Sequence, residues 1–391
     1  MRGNSLTAGI GSRTLGTMAV AFGGGLVVLA AGLWLAGYAP GPALGAMWQG
    51  AFGSWYAISS ATLVRAVPLI ILGLGFSLAM RAGALNIGAE GQFLMGAVAA
   101  TWAGQLVAGW PSLLAIPFVL ASALAAGALW VAVPVLLKVR FGVLEVITTL
   151  LLNFVAEQVV SWMVTGPMQE RVGTYPQSDP IAAAARLPML PGSRLHLGFL
   201  IGLLLAGGLW FLLRRTVWGF KLRAVGLGPK AAEVSGRINS KRMLGVALLW
   251  SGAICGLGGG VEITGVTRAL FMNLSPGYGF TAIAVALLAR LHPIGIVATG
   301  ILFGALEAGA GAMQREVGVP AVVVFVVQAW VVIVMAVMGA RPMGAPVHGP
   351  VGARPSGAPS SGEPTSAPSG GSSSGAPVQS GALARAEGGA Q

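Results

Sequence analysis

Residues 64–97 read VRAVPLIILGLGFSLAMRAGALNIGAEGQFLMGA, and the order of apolar and polar residues in them decides the fold. An almost unbroken apolar run reaches Met80, a short break follows with Arg81, Asn86 and Glu90, and a second apolar run begins. Backbone in lipid must satisfy its N–H and C=O groups within its own segment, so about 20 apolar residues in a row read as a membrane-spanning helix. Extended outward, the two runs give spans over 58–80 and 88–108 that turn back on each other at the polar break.

The rest of the chain repeats this pattern. Of its 391 residues 55% are hydrophobic and 9% charged, and the mean hydropathy is +0.81, which leaves too few polar groups to cover a soluble fold. Further runs over 15–38, 111–137, 143–165, 196–213, 243–265, 278–290, 293–312 and 319–340 predict an all-α, polytopic transmembrane helical bundle of about ten spans. The run at 15–38 is too long for a signal-peptide core and lacks a clear small-residue cleavage site, so it is expected to stay as a first span after a short segment, 1–14. After Arg341 the composition turns to Pro, Gly, Ser and Ala, which predicts a disordered tail over 341–391.

Charge sets the orientation. With the N-terminus in the cytoplasm, seventeen of the 23 basic residues fall on inner segments, eight of them between Arg214 and Arg242. Outer segments hold Arg171, Arg186, Arg194, Arg268 and Arg315, with Arg65 near the outer part of the second span. The positive-inside rule therefore predicts both termini in the cytoplasm. Two sets of five spans would then start on opposite sides, as an inverted repeat requires. The net charge of +12 follows from this topology; no aromatic residues interleave the cations as a nucleic-acid surface needs.

Several chemistries lack their residues. No Lys follows a Gly, so the phosphate-holding Gly-Lys-Ser/Thr turn is absent and this chain supplies no ATP site of that kind. His196, His292 and His348 are scattered without metal-ligand spacing, and His292 before Pro293 reads as an interfacial turn residue. The G-x-S-x-G match at Gly371–Gly375 lies in the low-complexity tail without the strand and helix that expose a nucleophile. Gly256, Gly258, Gly259 and Gly260 lie in an apolar span, which reads as close helix packing and not as a dinucleotide loop. Cys255, the single cysteine, reads as a packing residue.

Polar residues inside the spans are the candidates for function. Glu145, Thr149, Asn153, Glu157 and Ser161 recur every four residues along one side of a helix that cannot face lipid there. They would line a solute pathway or hydrogen-bond between helices. Asn86 and Glu90 would either start the third span, as a cap and a carboxylate in the first turn, or touch solute. Gly300, Gly304, Ala308 and Ala312 form a small-residue face for tight helix contact, with Glu307 beside it expected to pair across that contact. Glu262 is expected near the outer interface, and Arg65 would snorkel outward or pair with a buried carboxylate.

The longest inner connection is 214–242, RRTVWGFKLRAVGLGPKAAEVSGRINSKR. Pro229 suits a first helical position and Gly236 a stop, so a short helix is predicted over Pro229–Ser235. It would present Ala231, Ala232 and Ser235 as a small-residue knob for another protein, or be an ordinary basic loop.

Three segments go beyond pattern: residues 64–97 above, RAVGLGPKAAEVSGRI (223–238) and SPGYGFTAIAVALLARLHPIGI (275–296). Across roughly 58–340 the chain resembles permease subunits of bacterial ABC importers for nucleosides and simple sugars, within the branched-chain amino acid and ribose permease group. EVITTLLLNFVAEQ (145–158) is similar to the family's E-x-I-x-T-x-x-L-N segment, and GPMQERVGTYPQSDPI (166–181) with LPML (187–190) resembles its nucleoside branch. The resemblance implies a multi-pass protein of the bacterial inner membrane that is not itself an enzyme and holds no cofactor, ATP being hydrolysed by a cytoplasmic partner ATPase. It also implies a second permease subunit and an extracytoplasmic solute-binding protein. Arg223, Ala224, Gly226, Pro229, Ala231, Ala232 and Gly236 would form the segment that couples to the ATPase. Asn86, Glu90, Glu145, Thr149, Asn153 and Glu157 would line the substrate pathway. An ion-coupled secondary transporter, a permease for branched-chain amino acids and a membrane-embedded enzyme using Glu145, Glu157 or Glu262 are the competing readings.

Overall fold

The computed structural model describes residues 12–236 and 238–320 and isolated positions up to 333, with side chains from Gly23 onward; the side chain of Ser235, part of the expected knob, lies outside the described ones. The expected tail at 341–391, most of the segment 1–14 and much of the span 319–340 lie outside the described residues. The described chain is helical, with α1 (Ser12–Leu35), α2 (Pro40–Phe52), α3 (Trp55–Arg81), α4 (Ala89–Leu106), α5 (Ser112–Phe141) and α6 (Glu145–Thr165). There follow α7 (Gly198–Arg215), α8 (Val217–Leu227), α9 (Pro229–Gly236), α10 (Ser240–Thr267), α11 (Tyr278–Leu288) and α12 (Pro293–Val317).

Six of these, α3, α5, α6, α7, α10 and α12, are long and apolar enough to cross a membrane. Helix α4 is as long as α7 but carries Glu90, Gln92 and Gln105; almost its whole first half is enclosed by other helices, so it need not be apolar. Helix α11 has 11 residues and starts within the bundle against α4. Helix α2 meets no sequence expectation: Pro40 opens it and Met47 and Ala51 are buried as it packs along α12.

Helices α3 and α10 form the centre, each 78% buried over its apolar stretch, whereas α6 is 22% buried and turns most of its surface outward. Both central helices contain a π-helical turn, Ile58–Thr62 in α3 and Ile263–Thr267 in α10. Without a hydrophobic drive between helices in lipid, close backbone approach has to supply the packing. The glycines of α10 provide it. A Cβ on Gly256 would overlap the Ala123 carbonyl oxygen of α5, and one on Gly259 the Phe93 carbonyl oxygen of α4. The small face of α12 works in the same way, with Gly304 against Thr62 and Ala66 of α3 and Ala312 against Gly50 of α2.

The connection between α6 and α7 caps one end of the bundle without regular strands. Its amides bond to the ends of α4 and α10, Ala182 N to the Gly104 carbonyl (2.9 Å) and Leu187 N to the Thr264 carbonyl (2.9 Å). His196 closes this cap. Its Nδ1 accepts from Gly198 N at 3.2 Å while its buried Nε2 has no partner among the described residues, and burial pushes the imidazole down to about 4.

Candidate functional site

The polar residues singled out above meet where two helices begin inside the bundle. Helix α4 starts after Gly88, which has no side chain to cap the exposed amides of the first turn. Asn153 of α6 supplies the missing acceptor from outside: its Oδ1 takes the Gly91 N–H at 2.9 Å, and its Nδ2 donates to the Ile87 carbonyl at 2.9 Å. Helix α11 starts after Gly277, which has no side chain to cap it, and Ser275 Oγ accepts from the Tyr278 N–H at 3.0 Å. Its Gly279 N–H is taken by Glu90 Oε2 at 2.6 Å, with Ser275 as a further partner of that carboxylate. Each inner helix start is thus capped by a neighbouring helix, in a favourable place for acceptors and negative charge.

The remaining members divide clearly. Asn86 is saturated: Nδ2 donates to Gln92 Oε1 and to Ser251 Oγ of α10, both at 2.9 Å, and Oδ1 accepts from Gly88 N and from Gln92 Nε2. Thr149 Oγ1 donates back to the Glu145 carbonyl at 2.7 Å, and Glu145 pairs with Lys138 at 2.7 Å across the left-handed turn at Gly142. These groups, like Asn153, spend their polar atoms on helix contacts. Glu157 is different, because it and Gln158 are exposed on α6. Together with Glu90, Ser161, Asn273 and Ser275 they line a cavity of about 230 Å³. Sequence spacing placed Glu157 and Asn153 on one stripe; only the fold shows that one is open to a cavity and the other is used up.

A second cavity, of about 580 Å³, is lined by Arg65, Glu262 and Tyr278 with Arg194, Arg268 and Ser60. Arg65 faces it, its Nη1 donating to the Ala61 carbonyl at 3.4 Å. Glu307, expected to pair across the α12 face, forms no ion pair among the described residues. His292 is a helix cap, its Nδ1 accepting from Gly295 N at 3.3 Å. No group of three or more His, Cys, Asp or Glu that could hold a metal occurs among the described residues.

The 214–242 connection forms two short helices where one was expected. Thr216 caps α8, its hydroxyl accepting from Gly219 N at 3.1 Å, a start signal readable in the sequence. Helix α9 begins at Pro229 and ends at Gly236. Ala232 packs with Val225 of α8 and Ile238, and Ala224 lies against the same cluster. Ala231 is exposed, as is Pro229, whose carbonyl accepts from Ser240 Oγ at 2.9 Å. Gly226 meets the base of α3 so closely that a Cβ there would overlap the Arg81 carbonyl oxygen. Arg223 bonds back to the Gly219 carbonyl at 3.3 Å. The sequence reading missed Leu227 and Val234, which stand 93% and 86% exposed on this surface. The connection holds other large apolar residues, Val217, Trp218, Phe220, Leu222 and Val225 among them, so the sequence carries no signal that singles these two out.

The glucose ABC transporter permease protein TsgB13 of Haloferax volcanii is 37% identical over 75% of this chain and 80% of its own length. The guanosine ABC transporter permease protein NupP of Bacillus subtilis is 36% identical over 79% of this chain and 90% of its own length. A second guanosine ABC transporter permease protein of that organism, NupQ, is 30% identical over 63% of this chain and 79% of its own length. No solved structure matches the chain significantly. The profile of one family matches residues 58–338, and the chain is therefore a multi-pass membrane protein belonging to the branched-chain amino acid transport system / permease component family.

Proposed function

We propose that this chain is one of two permease subunits of an ATP-binding-cassette importer that carries nucleosides or simple sugars. The family is a permease family, and the relatives named for glucose and for guanosine support this solute class. Ten spans, both termini in the cytoplasm, a location in the bacterial inner membrane and an extracytoplasmic solute-binding protein complete the reading. The permease domain would cover 15–340.

The observation that carries the proposal is the chain of contacts from α9 to the inner helix starts. Leu227 of α8 and Ala231 and Val234 of α9 are exposed apolar residues suited to contact with a cytoplasmic ATPase. Ala232 ties α9 to α8, and Gly226 of α8 sits on the Arg81 carbonyl at the base of α3. From there the break at 82–88 leads through Asn86 to Gln92 at the start of α4, the helix whose Glu90 takes the Gly279 N–H. Closure of the ATPase would move α8 and α9, shift this break and change access to the cavity holding Glu90 and Glu157.

A second permease subunit is supported by α6. A carboxylate at membrane depth is costly in lipid and faces a partner or a solute path, yet Glu157 and Gln158 are exposed on this chain alone. A related subunit facing α6 would enclose the pathway between the two, and the two guanosine permease proteins of one organism fit such a pair. Deleting Pro229–Gly236 from the assembled transporter is expected to abolish ATP-dependent uptake in proteoliposomes; unchanged uptake would overturn the proposal.

A further inference from the structure

Four basic side chains converge where the last turns of α3 and α7 meet α8 and the turn between α11 and α12. Arg81, Arg214, Arg223 and His292 line a recess of about 140 Å³ beside Trp210. No carboxylate pairs with them: the ion pairs among the described residues are Lys138–Glu145 and Arg171–Asp179. Arg81 is fixed by Nε and Nη2, which both donate to the Leu291 carbonyl at 3.1 and 2.8 Å. Arg223 is fixed by Nε on Gly219, and Arg214 lies over the Trp210 ring, 5.7 Å from its centroid. The outer guanidinium N–H groups of Arg223 and Arg214 have no acceptor among the described residues.

The recess is built at some cost. Arg290 and Leu291 hold φ of 50° and 59°, a left-handed conformation that side-chain-bearing residues seldom adopt and that gathers at functional sites. Burial first, then the nearby Arg214 and Arg81, hold the His292 imidazole below its ordinary range. Like charges crowded in a half-buried space call for an anion. Guanidinium groups approaching from several directions match a group with three or four equivalent oxygens better than a planar carboxylate.

We propose that this recess binds a phosphate group, carried by an anionic lipid headgroup or by a free phosphate-bearing solute. On the orientation proposed above it lies at the inner membrane surface, although the site itself does not depend on that orientation. Phe211 and Ile294, next in sequence to the lining residues Trp210 and Pro293, are exposed and offer apolar surface for acyl chains. Because Arg223 lies on α8, occupancy would bear directly on the segment proposed to couple to the ATPase.

The test uses the full chain purified in detergent. Inorganic phosphate is titrated against chloride at constant ionic strength with thermal stability as readout, and native mass spectrometry compares retention of phosphatidylglycerol with that of phosphatidylcholine. Arg214→Gln is expected to weaken binding about tenfold or more, the scale of one hydrogen bond to a charged group. Arg215→Gln removes the same charge one residue away, outside the recess, and is expected to bind as wild type. If Arg214→Gln fails to fold, Arg223→Gln is read in its place. Selective retention of phosphatidylglycerol supports a lipid source, and stabilisation by inorganic phosphate alone supports a soluble one. Binding of neither ligand, or equal loss in the Arg214 and Arg215 variants, overturns the proposal.

Discussion

Replacing Asn153 by Leu separates a helix cap from a solute contact. The side chain is 1% exposed and holds two backbone groups, the Gly91 N–H and the Ile87 carbonyl, both at 2.9 Å. Leu keeps the branched outline of Asn, is bulkier and offers neither acceptor nor donor, so both groups are left buried without their partner. Each such orphan costs about 1–3 kcal/mol, which puts the expected loss at about 2–6 kcal/mol. Gly91 lies in the first turn of α4, where the amides have no partner within the helix, so the loss should be felt as fraying of that start. The assay is thermal unfolding of the assembled transporter, followed by tryptophan fluorescence and by size-exclusion chromatography after heating, alongside solute uptake. The cap account expects a clearly lower melting temperature with uptake falling in step. A variant that melts like wild type yet shows an altered KM for solute would refute it, and would return Asn153 to the pathway.

Two other perturbations probe separate parts of the structure. Leu227→Ser with Val234→Ser should leave melting of the isolated chain unchanged, since both side chains are exposed, but weaken ATPase pull-down; burying one such side chain is worth about 1.5–3 kcal/mol, roughly tenfold or more in affinity. His196 is neutral in the folded state because its value is pushed down to about 4, below the ordinary value of about 6.5. Protonation therefore favours the unfolded chain, so His196 contributes fully above about pH 6.5 and its contribution is lost as pH falls from there towards 4. Melting temperature should drop over that window in wild type and drop less in His196→Gln, as thermal scans at stepped pH will show.

Much of the fold was legible because lipid makes strict demands on sequence. The runs that became α3, α5, α6, α7, α10 and α12 are apolar for the length of a span, and the glycines of α10 and α12 sit where helices touch. Helix α2 was not legible: it has 13 residues, two prolines and a cap residue, Ala39, that offers no side-chain acceptor. Helix α8 could have been read from Thr216.

The site was legible as a set of residue types but not as an arrangement. Polar residues at membrane depth flagged Asn86, Glu90, Asn153 and Glu157 together. Nothing in their spacing says that Glu90 reaches Gly279, 189 positions away, or that Asn153 caps another helix while Glu157 stays open. Those distinctions are set by tertiary contacts between segments far apart in the chain.

The central claim is mechanical: motion of α8 and α9 reaches the inner helix starts through the contact of Gly226 with the base of α3. Gly226→Val places side-chain atoms onto the Arg81 carbonyl oxygen and against Gly83 while leaving the exposed surface of Leu227 and Val234 in place. The deciding measurement is the ratio of solute transported to ATP hydrolysed by the reconstituted transporter carrying this substitution. The account predicts that ATPase binding and hydrolysis persist while uptake falls away, and an unchanged ratio would contradict it.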